Sequence, residues 1–265
     1  VEPFKPYTRY AVKVYYDGRR YYGFQPQKGL PTVGEALIKA LKASKLLSEG
    51  VETRFQAASR TDRGVSALGQ TIAFNTAESF TVRRLNAHLP EDIQAWAWVK
   101  VPKTFNPRRE ALRRRYFYAA PYKGEDLECM VEASSLFTSE KALEFGFRPL
   151  ESVKVSFHDD FINFAFTSKS FTRGLVRRIA TILLKAGASR LKPQELYSRI
   201  KAEGFSRFSS PPAPADSLML LEVEYGFPFH VDEEAFTRLR EKLSWEASRL
   251  EILRNCLKLF EEKAG

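Results

Sequence analysis

Residues 9–41 read RYAVKVYYDGRRYYGFQPQKGLPTVGEALIKAL, and the hydrophobic period changes within them. Residues 9–17 are rich in β-branched and aromatic side chains, the signature of a strand. A glycine-punctuated loop covers 18–30. Thr32-Val33-Gly34-Glu35 then has capping-box spacing, and Ala36, Leu37, Ala40 and Leu41 share one helical face. Outward from this strand–loop–helix unit, strands are expected at 51–59, 68–75 and 93–101, with a short helix at 81–88. The order is β-α-β-β-α-β.

The second half repeats that order. A strand is expected at 113–120 and a helix at 127–137. Residues 153–157 and 161–167 form a hairpin about His158-Asp159-Asp160. An apolar helix at 172–186 is expected to end at Gly187. A short helix, a loop at 209–214 and a last strand at 217–225 complete it. The fold class expected is α/β in the broad α+β sense. Two ferredoxin-like or RRM-like halves lie side by side in one continuous, mostly antiparallel sheet, with helices on one face and a basic cleft on the other. The boundaries are 1–105, 106–226 and a helical extension at 227–265. In that extension Phe236, Leu239, Leu243, Leu250, Leu253, Leu257 and Phe260 recur at spacings of three and four or their sum, broken by Glu246. Such a stripe packs against its own chain or forms a dimer seam.

The formal net charge of +10 suits a polyanionic partner, because phosphate contacts release condensed counterions. The plainer reading is a basic surface that keeps the protein soluble. No apolar run reaches the roughly 18 residues a membrane span needs, and no basic-then-apolar leader is visible. With Cys129 and Cys256 the only cysteines, a reducing, cytoplasmic setting without membrane contact is expected.

His88, His158 and His230 show no metal-ligand spacing, and neither a P-loop nor a dinucleotide-binding glycine pattern occurs. The sequence therefore predicts a reaction carried by side chains, with no cofactor and no metal. In Ala58-Ser59-Arg60-Thr61-Asp62-Arg63-Gly64-Val65, Asp62 stands between two arginines in a loop between expected strands. The plain alternative is a solvated turn. Arg177 lies about 100° around its helix from Arg178, near the line of Ala180 and Leu184. It either snorkels to water or pairs with a buried carboxylate, for which Asp62 is a candidate. Tyr116 and Tyr118 alternate with Phe117 beside Arg113, Arg114 and Arg115. Such aromatics pack in a core, or stack on unpaired bases while arginines hold phosphates.

At these residues the chain resembles the tRNA pseudouridine synthase A family. The motifs are Tyr16-Asp17-Gly18 with Tyr22-Gly23-Phe24-Gln25, then Arg60-Thr61-Asp62 through Gly69-Gln70. Asn86-Ala87-His88-Leu89-Pro90, Arg115-Tyr116-Phe117-Tyr118, and Ser170-Phe171 through Val176-Arg177 follow in family order. The resemblance implies Asp62 as catalytic carboxylate, Tyr116 as active-site tyrosine and Arg177 as the basic partner of Asp62. Arg60, Arg63, Arg115 and Tyr116 are expected to bind substrate. It further implies a homodimer, no cofactor, and isomerisation of uridine to pseudouridine in the tRNA anticodon arm, at positions 38, 39 or 40. Ser59 and Ser66 replace the glycine and histidine of bacterial members, as in archaeal and eukaryotic ones, and 131–148 is shorter than the family pattern. The rival reading is a non-catalytic RRM-like RNA-binding protein, which 68–75 (LGQTIAFN) fits poorly.

Overall fold

The computed structural model describes residues 6–47 and 54–264, with the helical backbone alone for 257–264. The alternation at the start of the chain becomes β1 (Thr8–Tyr16), buried at every residue after Thr8. α1 (Val33–Ala43) starts where the cap predicts, the Thr32 hydroxyl accepting the Glu35 amide at 3.3 Å. The Glu35 carboxylate pairs forward with Lys39 at 2.9 Å. Of the strand expected at 51–59, β2 (Gln56–Ala57) forms, with Ala58 N also donating to Thr71 O at 2.8 Å, and residues 51–53 lie outside the described residues. β3 (Ser66–Thr76), α2 (Val82–Asn86) and β4 (Ile93–Val101) follow.

The second group is β5 (Arg113–Pro121), α3 (Leu127–Thr138), α4 (Lys141–Glu144), β6 (Ser152–His158), β7 (Phe161–Ser168), α5 (Leu175–Ala188), α6 (Pro193–Glu203), α7 (Phe205–Phe208) and β8 (Leu218–Glu224). In the sheet β1 lies between β3 and β4, with β2 beyond β3; β5 lies between β7 and β8, with β6 beyond β7. Counted within its group, each runs second–third–first–fourth strand, the ferredoxin-like order. The groups meet where β3 and β8 pair in parallel through Ser66 with Met219 and Ala67 with Leu220. Every other strand pairing among the described residues is antiparallel. The α/β class and the mostly antiparallel sheet are as the sequence predicts.

One core holds Val12, Val14 and Tyr16 of β1, Leu37 and Leu41 of α1, Tyr116 and Tyr118 of β5, and Ile179 and Leu183 of α5. The cleft was expected on the opposite face, and that expectation is corrected. There Ala11, Ala73 and Phe105 form a second small core under Phe227 and Phe229, with Tyr225 packed against both cores. A short strand missed in the sequence, β9 (His230–Val231), and α8 (Glu233–Ala264) follow this aromatic segment. The first turns of α8 pack on β4, burying Ala235 and Leu239 and setting Phe236 against Trp96 at 5.7 Å. The stripe is not continued inward, since Leu250 and Leu253 are exposed. Leu257 and Phe260 lie outside the described side chains. Among the described residues no helix is long and apolar enough to cross a membrane.

Lys13 is enclosed by this aromatic layer, with Phe229 4.9 Å from its Nζ, which donates to Val223 O. Burial lowers its pKa to about 8, against the opposing pull of Glu222 and Glu224. A lysine so lowered binds fewer protons folded than unfolded between about pH 8 and its ordinary 10.5. Stability should therefore rise with pH across that window, by on the order of 3 kcal/mol. Lys13→Met should flatten this rise in urea unfolding followed from pH 7.5 to 10. An unchanged slope would show that Lys13 is not its source.

α5 departs from expectation at both ends. It begins at Leu175, after Gly174 at φ +68°, leaving 170–174 as a loop. α5 runs one residue past Gly187, to Ala188, and a Cβ at Gly187 would lie 2.9 Å from Met130 Cγ and 3.0 Å from Glu125 Cβ, so glycine suits the close approach of α3 and α5.

Candidate active site

The 58–65 loop is fixed from below by two glycines. At Gly18 a Cβ would fall 2.0 Å from Val65 O, and at Gly23 (φ +94°) one would fall 2.9 Å from Thr61 O. Only a residue without a side chain lets the chain pass so close. Phe24 N donates to Thr61 O at 3.1 Å, tying the 21–24 segment to the loop. The fully buried Gln70 works from the other side, donating to Ser59 O at 2.8 Å and accepting from Ser59 N and Thr71 N, both at 3.1 Å. Tyr16 OH meets Thr61 Oγ1 at 2.7 Å. Burial pushes the Tyr16 phenol well above its ordinary pKa, so it stays protonated.

Asp62 stands at the rim of this scaffold, its side chain 22 % exposed. Its Oδ2 lies 3.8 Å from Arg177 Nη1, and its Oδ1 lies 3.5 Å from Arg173 Nε. The Arg177 side chain is as enclosed as its partner, at 20 % exposure. Its Nε donates to Ala213 O at 2.6 Å while Ala213 N donates to Arg177 O at 3.3 Å. Arg178, Thr181 and Lys185, a polar stripe along α5, bond to the 206–211 segment that leads to Ala213. Arg177 thus reaches the carboxylate on a clamped helix. Asp62 also lies at the amino end of α5, where a carboxylate is electrostatically favoured.

Tyr116 is 7 % exposed; its hydroxyl meets Ser59 Oγ at 2.8 Å, and Phe171 packs edge-on at 5.1 Å. Burial pushes the phenol pKa up, against the Ser59 hydrogen bond and the charge of Arg114. It carries its proton at neutral pH.

These groups line a cavity of about 800 Å³ on the helix-bearing face, between the 22–27 segment and the start of α5. Arg60, Arg63, Arg108, Arg114, Arg148, Lys169, Arg173 and Arg177 line it, and Asp62 is the one carboxylate among the described lining residues. Of the residues the sequence proposed, Asp62, Tyr116 and Arg177 come together, and Arg60 and Arg63 join them, Arg63 lying over the Tyr22 ring at 4.2 Å. Arg115 does not. It is exposed, pairs with Glu224, and is absent from the lining. Its neighbour Arg114 enters instead, 5 % exposed, donating to Ala58 O and Arg108 O at 2.8 Å and to Lys169 O. Strand alternation carries the signal, since Arg114 shares a face with Tyr116 and Arg115 cannot. Gln70 closes one of the quoted motifs and Arg173 falls within another, neither with a role. Among the described residues no group of three His, Cys, Asp or Glu side chains would hold a metal ion.

A partly shielded carboxylate between two guanidiniums, beside a protonated phenol in a cation-lined cavity, equips an enzyme for carboxylate chemistry on a polyanion. Comparison with known proteins narrows the class. Residues 135–226 match the family model described as tRNA pseudouridine synthase. A Thermococcus sibiricus protein named tRNA pseudouridine synthase A is 37 % identical over 246 residues, covering 88 % of this chain and 91 % of the relative. Like-named proteins of Thermococcus kodakarensis (34 % over 252 residues, 90 % and 93 % covered) and Methanocella arvoryzae (34 % over 259 residues, 91 % and 96 % covered) are also similar. The chain belongs to the tRNA pseudouridine synthase A family.

Proposed function

We propose that this protein isomerises uridine to pseudouridine in tRNA, with Asp62 as the catalytic carboxylate and the anticodon arm, at positions 38, 39 or 40, as its target. The observation that carries the reading is the Asp62–Arg177 pair in a cavity whose other charged lining residues, among those described, are all cations. A volume of about 800 Å³ lies within the range of about 300–1,000 Å³ that encloses small ligands. A stacked uridine reaches such a site only by leaving its helix, which costs a few kcal/mol that protein contacts must offset. The reaction breaks the bond between C1′ and N1, turns the uracil, and closes a bond from C1′ to C5, the C5 proton being lost and N1 taking one up. Asp62 attacks the nucleotide or removes a ribose proton. Either route requires an ionised oxygen held by Arg177 and shielded from bulk water.

Tyr116 forms the floor on which the turned base rests, and Arg60 and Arg63 hold the backbone at the rim. Residues 1–105 and 106–226 act as the two walls, 227–265 as an extension. Two protomers of a homodimer grip one tRNA in the cytoplasm.

Tyr116→Phe removes one hydrogen bond, a loss of about 1 kcal/mol, and keeps the floor. Tyr116→Ala opens a hole beneath the site and should cost several kcal/mol of stability as well as most activity. Single-turnover rates should fall in that order. A phenylalanine variant as slow as the alanine one would assign the hydroxyl to proton transfer.

The decisive experiment maps pseudouridine across transcript tRNAs treated with purified protein alone. New pseudouridine in the anticodon arm is expected. Tight tRNA binding with no product anywhere would favour the non-catalytic reading.

A further inference from the structure

Both oxygens of Asp62 face a guanidinium, Oδ2 toward Arg177 and Oδ1 toward Arg173. Each oxygen thus has a cation close by, at 3.8 Å for Oδ2 and 3.5 Å for Oδ1. The two arginines are held very differently. Arg177 is mostly enclosed and bonded to Ala213 through both its side chain and its carbonyl. Arg173 is 93 % exposed, and no other carboxylate pairs with it among the described residues. It sits on the 170–174 loop, immediately before Gly174 in its left-handed conformation and ahead of the first turn of α5.

From this contrast we infer that Arg173 is a phosphate-binding, specificity-determining residue. Its resting contact with Asp62 is exchanged for a phosphodiester of the bound RNA, and the exchange uncovers Oδ1. The inference rests on the activity proposed above and adds to it a requirement for a phosphate beside the target nucleoside. Magnitudes favour the exchange. An exposed ion pair is worth about 0–1 kcal/mol, so leaving Asp62 costs little. A phosphate contact of a polynucleotide gains by releasing counterions. Removal of Arg177 has no such compensation, because its bond to Ala213 O would be lost as well. Lys169 and Arg148 line the same cavity, so an RNA backbone held there has further cations to meet.

The test uses the full chain and an unmodified tRNA transcript. Arg173→Gln should raise KM about five- to tenfold, with kcat changed much less than KM. The slope of log binding affinity against log salt should become shallower by about one. Arg173→Lys, which keeps the charge, should restore most of that slope. A glutamine variant that loses kcat with KM and salt slope unchanged would make Arg173 a support of Asp62 and overturn the exchange. A variant indistinguishable from wild type would overturn it too. The salt slope is read by binding alone. It therefore stands apart from any failure of the wild-type protein to make pseudouridine, which would sink the catalytic reading instead.

Discussion

Asp62→Asn is expected to abolish pseudouridine formation, by on the order of 10⁴-fold or more, while tRNA binding survives. Asparagine has nearly the same shape, so the loop keeps its supports. Those supports are backbone and neighbour contacts, from Gln70 to Ser59, Tyr16 to Thr61 and Phe24 to Thr61, and none passes through the Asp62 carboxylate. What disappears is the charge. An amide neither attacks a nucleotide nor takes a ribose proton, so no second route to product remains in the cavity. Binding should hold or tighten, because Asp62 is the one acidic group described in a cation-lined wall and its loss makes the wall more attractive to phosphate. The measurement pairs filter binding with mass-labelled nucleoside analysis under enzyme excess. Turnover near the wild-type rate would remove Asp62 from the mechanism, and lost binding would mean that the variant had damaged the loop.

The elements with a strong period were legible in the sequence. β1, β4, β5 and α1 start within a residue of where alternation or the Thr32 cap places them. What was missed depends on contacts between segments distant in sequence. Gly187 looked like a helix stop because glycine is common there; Met130, from another helix, makes it a packing residue. The start of α5 was placed too early because nothing local shows that residues 170–174 line a cavity. The small core on the second face followed from Tyr225, Phe227 and Phe229, which read as a strand end and connector and revealed nothing of the sheet beneath them. In the candidate site, charge and helix phase drew notice to Asp62 and Arg177, each with a plainer alternative beside it, and the family resemblance is what implied their roles. Gln70 gave no such signal, since a glutamine in a strand acquires its role only when two backbone amides and a carbonyl converge on it. Arg115 was chosen over Arg114 although the alternation of β5 already separated them.

Arg177→Leu is expected to lower the rate of the chemical step by about 10²- to 10³-fold and stability by about 2–3 kcal/mol, less than the 3–5 kcal/mol of a fully buried pair because the groups are about one-fifth exposed. The two losses have separate physical sources. Leucine cannot donate to Ala213 O, which then lacks the 2.6 Å bond that joins α5 to the loop before β8. Leucine also leaves Asp62 with Arg173 alone, an exposed partner worth little, so the carboxylate is neither oriented nor shielded in charge. Arg177→Lys separates the two. A lysine keeps a positive charge, but its single ammonium lacks the planar fork that serves Ala213 O and Asp62 at once. If lysine restores the rate more than the stability, charge at Asp62 is the functional requirement and the Ala213 bond the structural one. Urea unfolding and single-turnover assays on both variants read these separately. A leucine variant that is both stable and fast would show the ion pair to be incidental and remove the reason for placing Asp62 at the centre of the chemistry.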